Sequence, residues 1–144
     1  MPVRLIQGDL FDARDCSLAH CISLDLRMTR GISVTFDKIF QGRRQLMHHA
    51  RNKDVGEILY LRRHGHFVYY LITKKKCGGK PDIYTIRCAL KSMAKHALDN
   101  NVTKIAMPKI STGLDQMNWE DVRIQIESVF DGTGIDIMVY CLPE

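Results

Sequence analysis

An α/β fold with a mixed central sheet is predicted for this chain of 144 residues. Short apolar runs typical of buried strands alternate with longer runs at helical spacing, and strands that alternate with helices form a largely parallel sheet. A hairpin predicted around Gly65 adds one antiparallel pair, which makes the sheet mixed. The length fits a single domain, and we expect residues 1–144 to form it.

Composition and charge are those of an ordinary globular protein. The chain is 45% hydrophobic and 26% charged, which excludes disordered, collagen-like and coiled-coil proteins. No apolar run approaches the roughly 20 residues of a membrane span, and residues 1–6 lack the apolar core of a secretory signal. We therefore expect a monomer in the nucleus or cytoplasm, neither secreted nor in a membrane. The net charge of +5 favours polyanionic partners: nucleotides, nucleic acid, acidic proteins or an anionic surface.

Cysteines and histidines do not predict a metal site. The five cysteines are scattered without a C-x-x-C pair, so we expect reduced, mostly buried thiols. His48 and His49 lie at a helix end, and His64 and His66 flank a turn, with no acid or cysteine at ligand spacing. We expect neither a metal nor a cofactor.

Six strands are predicted from short apolar runs bounded by turn residues. The first ends at Gly8-Asp9, the third and fourth flank a hairpin turn at Gly65, and the fifth ends at Pro108. The predicted strands span residues 3–7, 18–22, 57–63, 67–73, 104–107 and 135–141.

Three helical segments are predicted from apolar residues at helical spacing. The first begins after Gly31 and has a break at Gly42. The second opens at Pro81-Asp82 and ends at Asn100-Asn101, which suit a C-terminal cap. The third begins at Asn118, which can cap it, with two acids in its first turn.

Four loops at the carboxyl ends of strands are the candidate ligand-binding segments, because ligands of α/β sheets bind there beside helix N-termini. These loops follow Gln7, Ile22, Thr73 and Met107. In the first loop, Asp9 either accepts a hydrogen bond from an amino group, such as that of adenine, or only caps the turn.

The second loop, residues 23–31, is polar and ends at the start of a helix. Gly31-Ile32 can present backbone N–H groups to an anion, and Arg27 and Arg30 add positive charge. An ordinary solvated loop has the same composition, so both interpretations stay open.

The third and fourth loops carry candidate reactive groups. Lys74, the first residue of Lys74-Lys75-Lys76, either points into a cleft as a nucleophile or belongs to a solvated basic run. After Pro108, small residues at 111–113 allow close approach of a diphosphate, and Asp115 is either a general base or a surface acid. The chain lacks the P-loop pattern and the dinucleotide fingerprint, which argues against a P-loop enzyme and against a dinucleotide-binding protein.

Short motifs in a familiar order run through nearly the whole chain. They are Gly8-Asp9-Leu10-Phe11, Ser17-Leu18-Ala19-His20-Cys21-Ile22-Ser23, Met28 with Gly31-Ile32, Tyr70-Leu71-Ile72-Thr73-Lys74-Lys75, Lys80-Pro81, Met107-Pro108, Gly113-Leu114-Asp115, Trp119-Glu120 and Val139-Tyr140. Their ordered sum resembles the macro domain family of ADP-ribose binders. More narrowly, it resembles the terminal ADP-ribose protein glycohydrolase branch, also called O-acyl-ADP-ribose deacylase.

The resemblance implies a three-layer α/β/α fold with a mixed sheet of about six strands, and an ADP-ribose cleft across the four loops. It implies that Lys74 and Asp115 carry catalysis. The substrate-binding residues that it implies are Asp9 and Leu10 at the adenine end, Ser23, Gly31 and Ile32 near the phosphates and distal ribose, Ser111, Thr112 and Gly113 around the diphosphate, Leu142 at the adenosine side, and Pro108, Lys109, Ile110 and Leu114 on the same loop as the diphosphate residues.

The activity implied by the resemblance is removal of mono-ADP-ribose ester-linked to protein Glu or Asp, together with deacylation of O-acyl-ADP-ribose. Poly-ADP-ribose and ADP-ribosylated DNA are further candidate partners. A reader module that binds ADP-ribose without cleaving it is the main alternative, and a basic nucleic-acid or phosphate-binding domain is the other. The branch usually has small residues where Thr29 and Arg30 stand, so Arg30 either adds a phosphate contact or narrows the cleft.

Overall fold

The computed structural model describes residues 3–113 and 115–142. All six predicted strands and all three predicted helical segments are present, and the break at Gly42 divides the first segment into two helices. One short 3₁₀ turn, Leu10–Asp12, was not predicted. The elements are β1 (Val3–Gln7), β2 (Ser17–Ser23), α1 (Ile32–Phe40), α2 (Arg43–Ala50), β3 (Ile58–Arg63), β4 (His66–Lys74), α3 (Ile83–Asp99), β5 (Lys104–Pro108), α4 (Trp119–Phe130) and β6 (Asp136–Cys141).

The six strands form one mixed sheet in the order β1-β6-β5-β2-β4-β3. Only β3 runs antiparallel to its neighbour, β4, as the hairpin predicts, and every other pairing is parallel. The carboxyl ends of β1, β2, β4, β5 and β6 therefore meet at one edge of the sheet. The loops that follow them come together there.

Helices cover both faces of the sheet and make three layers, as expected. Successive residues of β4 point to opposite faces: Tyr69 packs in the core under α3 and α4, and Tyr70 packs in the core under α1 and α2. Phe36 of α1 and Leu90 of α3 are both fully buried, one in each core. Because both faces are covered, the inner strands β4 and β6 read as nearly continuous apolar runs.

Side-chain caps define the ends of the two longer helices. The Asn118 side chain accepts a hydrogen bond from the Asp121 amide at 3.2 Å, as predicted, and Asp82 does the same for Thr85 at 2.7 Å. At the end of α3, Asn101 adopts a left-handed conformation with φ of 59°, and Asn100 donates to the His96 carbonyl.

The expectation of mostly buried thiols is wrong. All five cysteines are free, as expected, but only Cys16 is buried and the other four are partly exposed. Three of these four, Cys21, Cys77 and Cys141, lie at or just after the carboxyl ends of strands and border a cleft. A side chain at the carboxyl end of a strand can face the cleft, whereas a side chain in the middle of the same strand is covered by the helices.

Residues 3–113 and 115–142 contain neither a membrane-spanning helix nor a metal-binding cluster. None of the helices there is long and apolar enough to cross a bilayer. In the same part of the chain, His, Cys, Asp and Glu side chains form no group of three or more that could hold a metal ion.

Replacing Gly42 by alanine is expected to destabilise the protein more than the same change at Gly65. Both glycines have positive φ, 77° and 79°, which costs a non-glycine residue about 1 kcal/mol. A Cβ at Gly42 would also lie 2.8 Å from a Leu61 methyl carbon, whereas a Cβ at Gly65 would meet nothing within 4 Å. That overlap is expected to lower the free energy of unfolding of Gly42→Ala by about 2 kcal/mol more. Urea unfolding of both variants checks the difference, and equal losses would contradict it.

Candidate active site

A cleft of about 1020 Å³ opens at the carboxyl edge of the sheet. It is bounded by the loops that follow five strands and by the start of α1. Every described residue that sequence analysis placed in the site lines it: Asp9, Leu10, Ser23, Gly31, Ile32, Lys74, Pro108, Lys109, Ile110, Ser111, Thr112, Gly113, Asp115 and Leu142. Leu114, the remaining predicted residue, lies outside the described residues.

Lys74 and Asp115 meet in the wall of this cleft. The Lys74 Nζ donates to Asp115 Oδ1 at 2.6 Å, and the two side chains are only 15% and 13% exposed. Lys74 is the last residue of β4, whereas Asp115 lies 41 positions later in the loop after β5. The geometry holds an amine and a carboxylate together at one point of the cleft, largely shielded from solvent.

The two lysines that follow behave differently from Lys74. Lys75 and Lys76 are exposed, and in the described part of the chain neither makes an ion pair. They border a smaller hollow of about 430 Å³ that is separate from the cleft, and Lys74 lines both. The solvated interpretation of the basic run therefore fits Lys75 and Lys76, and the cleft interpretation fits Lys74.

The N-terminus of α1 faces the cleft without a side-chain cap. Gly31 occupies the N-cap position with φ of 64°, and no side chain hydrogen-bonds to the helix start. The first amides of a helix have no partner inside the helix, so they suit an anion. Arg30 is exposed, and Arg30 and Lys74 both line the same open cleft. Arg30 therefore does not close the site.

The loop after β5 lines the cleft, and its two hydroxyl groups donate hydrogen bonds to other protein atoms. The Thr112 hydroxyl donates to the Lys109 carbonyl at 2.7 Å, and the Ser111 hydroxyl donates to the Cys21 sulfur at 3.6 Å. Ser111 has a φ of 61°, which turns the chain sharply. Gly113 is exposed, and a Cβ there would meet nothing within 4 Å. A ligand can therefore approach this backbone closely.

Asp9, Leu10 and Ile110 contribute to the cleft in different ways. Asp9 Oδ1 accepts from the Phe11 amide at 3.0 Å and caps the 3₁₀ turn, so the turn-capping interpretation holds. The Asp9 side chain is nevertheless exposed to the cleft. Leu10 and Ile110 are 4% and 2% exposed, so they form the floor chiefly as core residues.

Sequence analysis assigned no role to Asp25, which connects two walls of the cleft. Its Oδ1 accepts from the Ser23 hydroxyl at 2.5 Å and its Oδ2 from the Cys77 amide at 3.1 Å. Desolvation alone would raise the pKa of the Asp25 carboxyl, but these hydrogen bonds and that from the Arg27 amide outweigh it and lower the pKa. A Ser-x-Asp pattern in a polar loop, typical of a local side-chain turn, was the available signal.

His20, which is buried, and Cys21, which is partly exposed, lie at the base of the cleft. The His20 ring stacks on Phe36 at 3.7 Å, and neither ring nitrogen has a partner among the described residues. Burial lowers the pKa of His20 to about 3, so the ring is neutral. Burial also raises the pKa of the Cys21 thiol to about 12. Cys21 is therefore not a candidate nucleophile, because only the thiolate is reactive.

Comparison with solved structures supports the fold. The macrodomain of Mycobacterium tuberculosis DarG has a TM-score of 0.86 and 19% identity, covering 99% of this chain and 98% of that one. Thermosipho africanus DarTG in complex with ADP-ribose also has a TM-score of 0.86, at 17% identity, covering 98% of this chain and 41% of that one.

Sequence comparison gives closer relatives. Two proteins named ADP-ribose glycohydrolase OARD1, from Homo sapiens and Bos taurus, are each 45% identical over 141 residues, which cover 97% of this chain and 91% of each relative. The family model described as Macro domain matches residues 25–126. From this match, the relatives and the six-stranded three-layer architecture, we conclude that the chain belongs to the macro domain family.

Proposed function

We propose that this protein is a hydrolase that removes mono-ADP-ribose from ester linkages to glutamate and aspartate, and that deacylates O-acyl-ADP-ribose. The hydrolase class is supported by the two mammalian relatives, which are named ADP-ribose glycohydrolases. The choice of ester substrates depends on one observation, the ion pair between Lys74 and Asp115 inside the cleft. A module that only binds ADP-ribose needs neither a shielded amine nor a carboxylate at that point.

The cleft has the features that an extended nucleotide sugar requires. We place the diphosphate between the uncapped start of α1 and the Ser111–Gly113 backbone, because both offer N–H groups and little side-chain bulk. The adenosine then lies toward Asp9 and Leu142, and the distal ribose lies beside Lys74. Among macro domain structures, one from Trypanosoma brucei is a complex with ADP and Thermosipho africanus DarTG is a complex with ADP-ribose.

The first chemical step uses both members of the ion pair. Lys74 transfers a proton to Asp115, with which it already shares a 2.6 Å hydrogen bond, and becomes a neutral amine. Its nitrogen then attacks the anomeric carbon of the distal ribose, and the bond from that carbon to the ester oxygen breaks. The carboxylate leaves with the electron pair and then takes the proton from Asp115, which returns to its ionised form, while ADP-ribose stays covalently attached to Lys74.

The second step releases the sugar. Asp115 acts as the general base that takes a proton from water as the water oxygen bonds to the anomeric carbon. The bond between that carbon and the lysine nitrogen breaks, which regenerates the Lys74 amine and gives free ADP-ribose. The same two residues serve esters of proteins and of small acids, because the carboxylate is the leaving group in both.

Removing the carboxylate of Asp115 is expected to slow ADP-ribose release by about a hundredfold or more, since a positioned general base contributes that much. The substrate is a peptide with a single ADP-ribosylated glutamate, and the measurement is the rate at which free ADP-ribose appears with Asp115→Asn. Asp131→Asn, a change of the same kind at an exposed acid outside the cleft, is expected to leave the rate unchanged.

The same assay separates the alternatives. A wild-type protein that binds ADP-ribose in calorimetry but releases none from the peptide is a reader, and the hydrolase proposal is then wrong. Binding that falls steeply with salt and does not distinguish ADP-ribose from AMP would instead indicate a general polyanion-binding domain.

A further inference from the structure

The Asp25 carboxylate bridges the loop after β2 and the loop after β4, which both line the cleft, and three donors bond to it. Oδ1 accepts from the Ser23 hydroxyl at 2.5 Å and from the Arg27 amide at 3.3 Å, while Oδ2 accepts from the Cys77 amide at 3.1 Å. The Asp25 amide in turn donates to the Lys75 carbonyl at 3.2 Å. The loop after β2 and the loop after β4 therefore hold the carboxylate in one orientation.

This arrangement decides which way the Ser23 hydroxyl points. An ionised carboxylate has no proton to give, so in the 2.5 Å contact the hydroxyl must be the donor. A serine has only one hydroxyl proton. Once that proton is committed to Asp25, the Ser23 oxygen has only lone pairs left for any other partner.

Ser23 and Lys74 lie side by side in the wall of the cleft. Ser23 is 5% exposed and lines the cleft. It pairs directly with Lys74 between strands β2 and β4, and the adjacent Leu24 amide donates to the Lys74 carbonyl at 2.8 Å. A ligand group that reaches Lys74 therefore also reaches a hydrogen-bond acceptor whose direction is fixed.

We propose that Asp25 is a positioning residue that makes Ser23 an obligate hydrogen-bond acceptor, and so selects ligands that bring a hydroxyl donor to the Lys74 end of the cleft. The distal ribose of ADP-ribose carries such hydroxyls, whereas ADP ends at the diphosphate. The inference rests on the proposed function, because it identifies what that site recognises. A site built to hydrogen-bond a hydroxyl rejects a ligand that lacks it, since the buried polar group is then left unpaired.

The test is calorimetric binding of ADP-ribose and of ADP to the full chain. Asp25→Asn preserves the shape of the side chain, but it places an amide where one of the two acceptor oxygens was. We expect Asp25→Asn and Ser23→Ala each to weaken ADP-ribose binding by roughly tenfold, the value of one hydrogen bond to a charged or oriented partner. Binding of ADP is expected to stay unchanged in both variants.

Two controls isolate the role of Asp25. Because Asp25 acts through Ser23, the double variant is expected to lose no more ADP-ribose affinity than Ser23→Ala alone. Asp12→Asn, the same change at an exposed acid that does not line the cleft, is expected to bind both ligands as the wild type does. Thermal unfolding shows whether each variant is folded. If Asp25→Asn is not folded, Ser23→Ala still tests the inference, because it too is expected to lose affinity for ADP-ribose and to keep its affinity for ADP.

Three results would overturn the inference: wild-type affinity in Asp25→Asn, additive losses in the double variant, or an equal loss for ADP and ADP-ribose. Equal affinity of the wild type for the two ligands would overturn it as well. Failure of the wild type to bind ADP-ribose at all is a separate result, which would contradict the proposed function instead.

Discussion

Replacing Lys74 by alanine is expected to reduce ester hydrolysis by about a thousandfold or more, because a reaction that proceeds through a covalent intermediate loses its path when the nucleophile is removed. Binding of ADP-ribose is expected to persist, since Lys74 is only one of many residues that line the cleft. Single-turnover release of ADP-ribose from a glutamate-linked peptide measures the first quantity, and calorimetry measures the second.

Lys74→Arg is the informative companion variant. It keeps a positive charge beside Asp115, but a guanidinium stays protonated and is a poor nucleophile. If Lys74 acts only by its charge, Lys74→Arg will retain most of the activity. If it acts as a nucleophile, both variants are inactive, and acid quenching of the wild-type reaction traps ADP-ribose on the peptide that contains Lys74. An active Lys74→Ala would end the covalent mechanism.

Acid is expected to destabilise the protein through His20, starting well above the range in which carboxylates titrate. Burial lowers the pKa of His20 from 6.5 to about 3, so below pH 6.5 the unfolded chain binds a proton that the folded chain does not. Stability is therefore lost progressively as the pH falls from about 6.5 toward 3. At 1.36 kcal/mol for each pKa unit, the loss from this residue is about 2 kcal/mol at pH 5.

His20→Leu isolates this contribution. The residues that contact the ring, Phe36 and Tyr70, are aromatic, so an apolar side chain of similar size is compatible with the site. Burial raises the pKa of Tyr70, and that group stays neutral throughout the acid range. Denaturant unfolding from pH 7.5 to 5 should show a steeper loss of stability in the wild type than in His20→Leu. Parallel curves would mean that His20 is not buried in its neutral form.

The order of elements could be predicted because local patterns decide it. Buried strands such as β5 are short apolar runs with a proline at the end, and α4 begins at Asn118 because this residue can accept a hydrogen bond from the helix start. Each of these signals lies within a few residues of chain. The prediction of mostly buried thiols was wrong because burial at a strand end depends on what lies across the edge of the sheet.

The candidate site could be predicted in outline for a related reason. Parallel strands bring their following loops to one edge, so residues after Gln7, Ile22, Thr73 and Met107 had to lie near one another. That rule gives proximity within a cleft, but it does not give contacts between individual atoms. The bond from the Cys77 amide to Asp25 joins segments separated by 52 positions, and no local pattern specifies it.

The amino-acid order alone was sufficient for the layer architecture, the hairpin, the helix caps and the set of loops around the cleft, since these follow from periodicity, turn chemistry and strand direction. The folded molecule alone determined that the Lys74 amine touches the Asp115 carboxylate, that Lys75 and Lys76 face solvent, and that Asp25 accepts a hydrogen bond from the Cys77 amide. Side-chain partnerships of this kind depend on distances of a few ångströms between distant parts of the chain, and only packing of the whole sheet and its helices sets those distances.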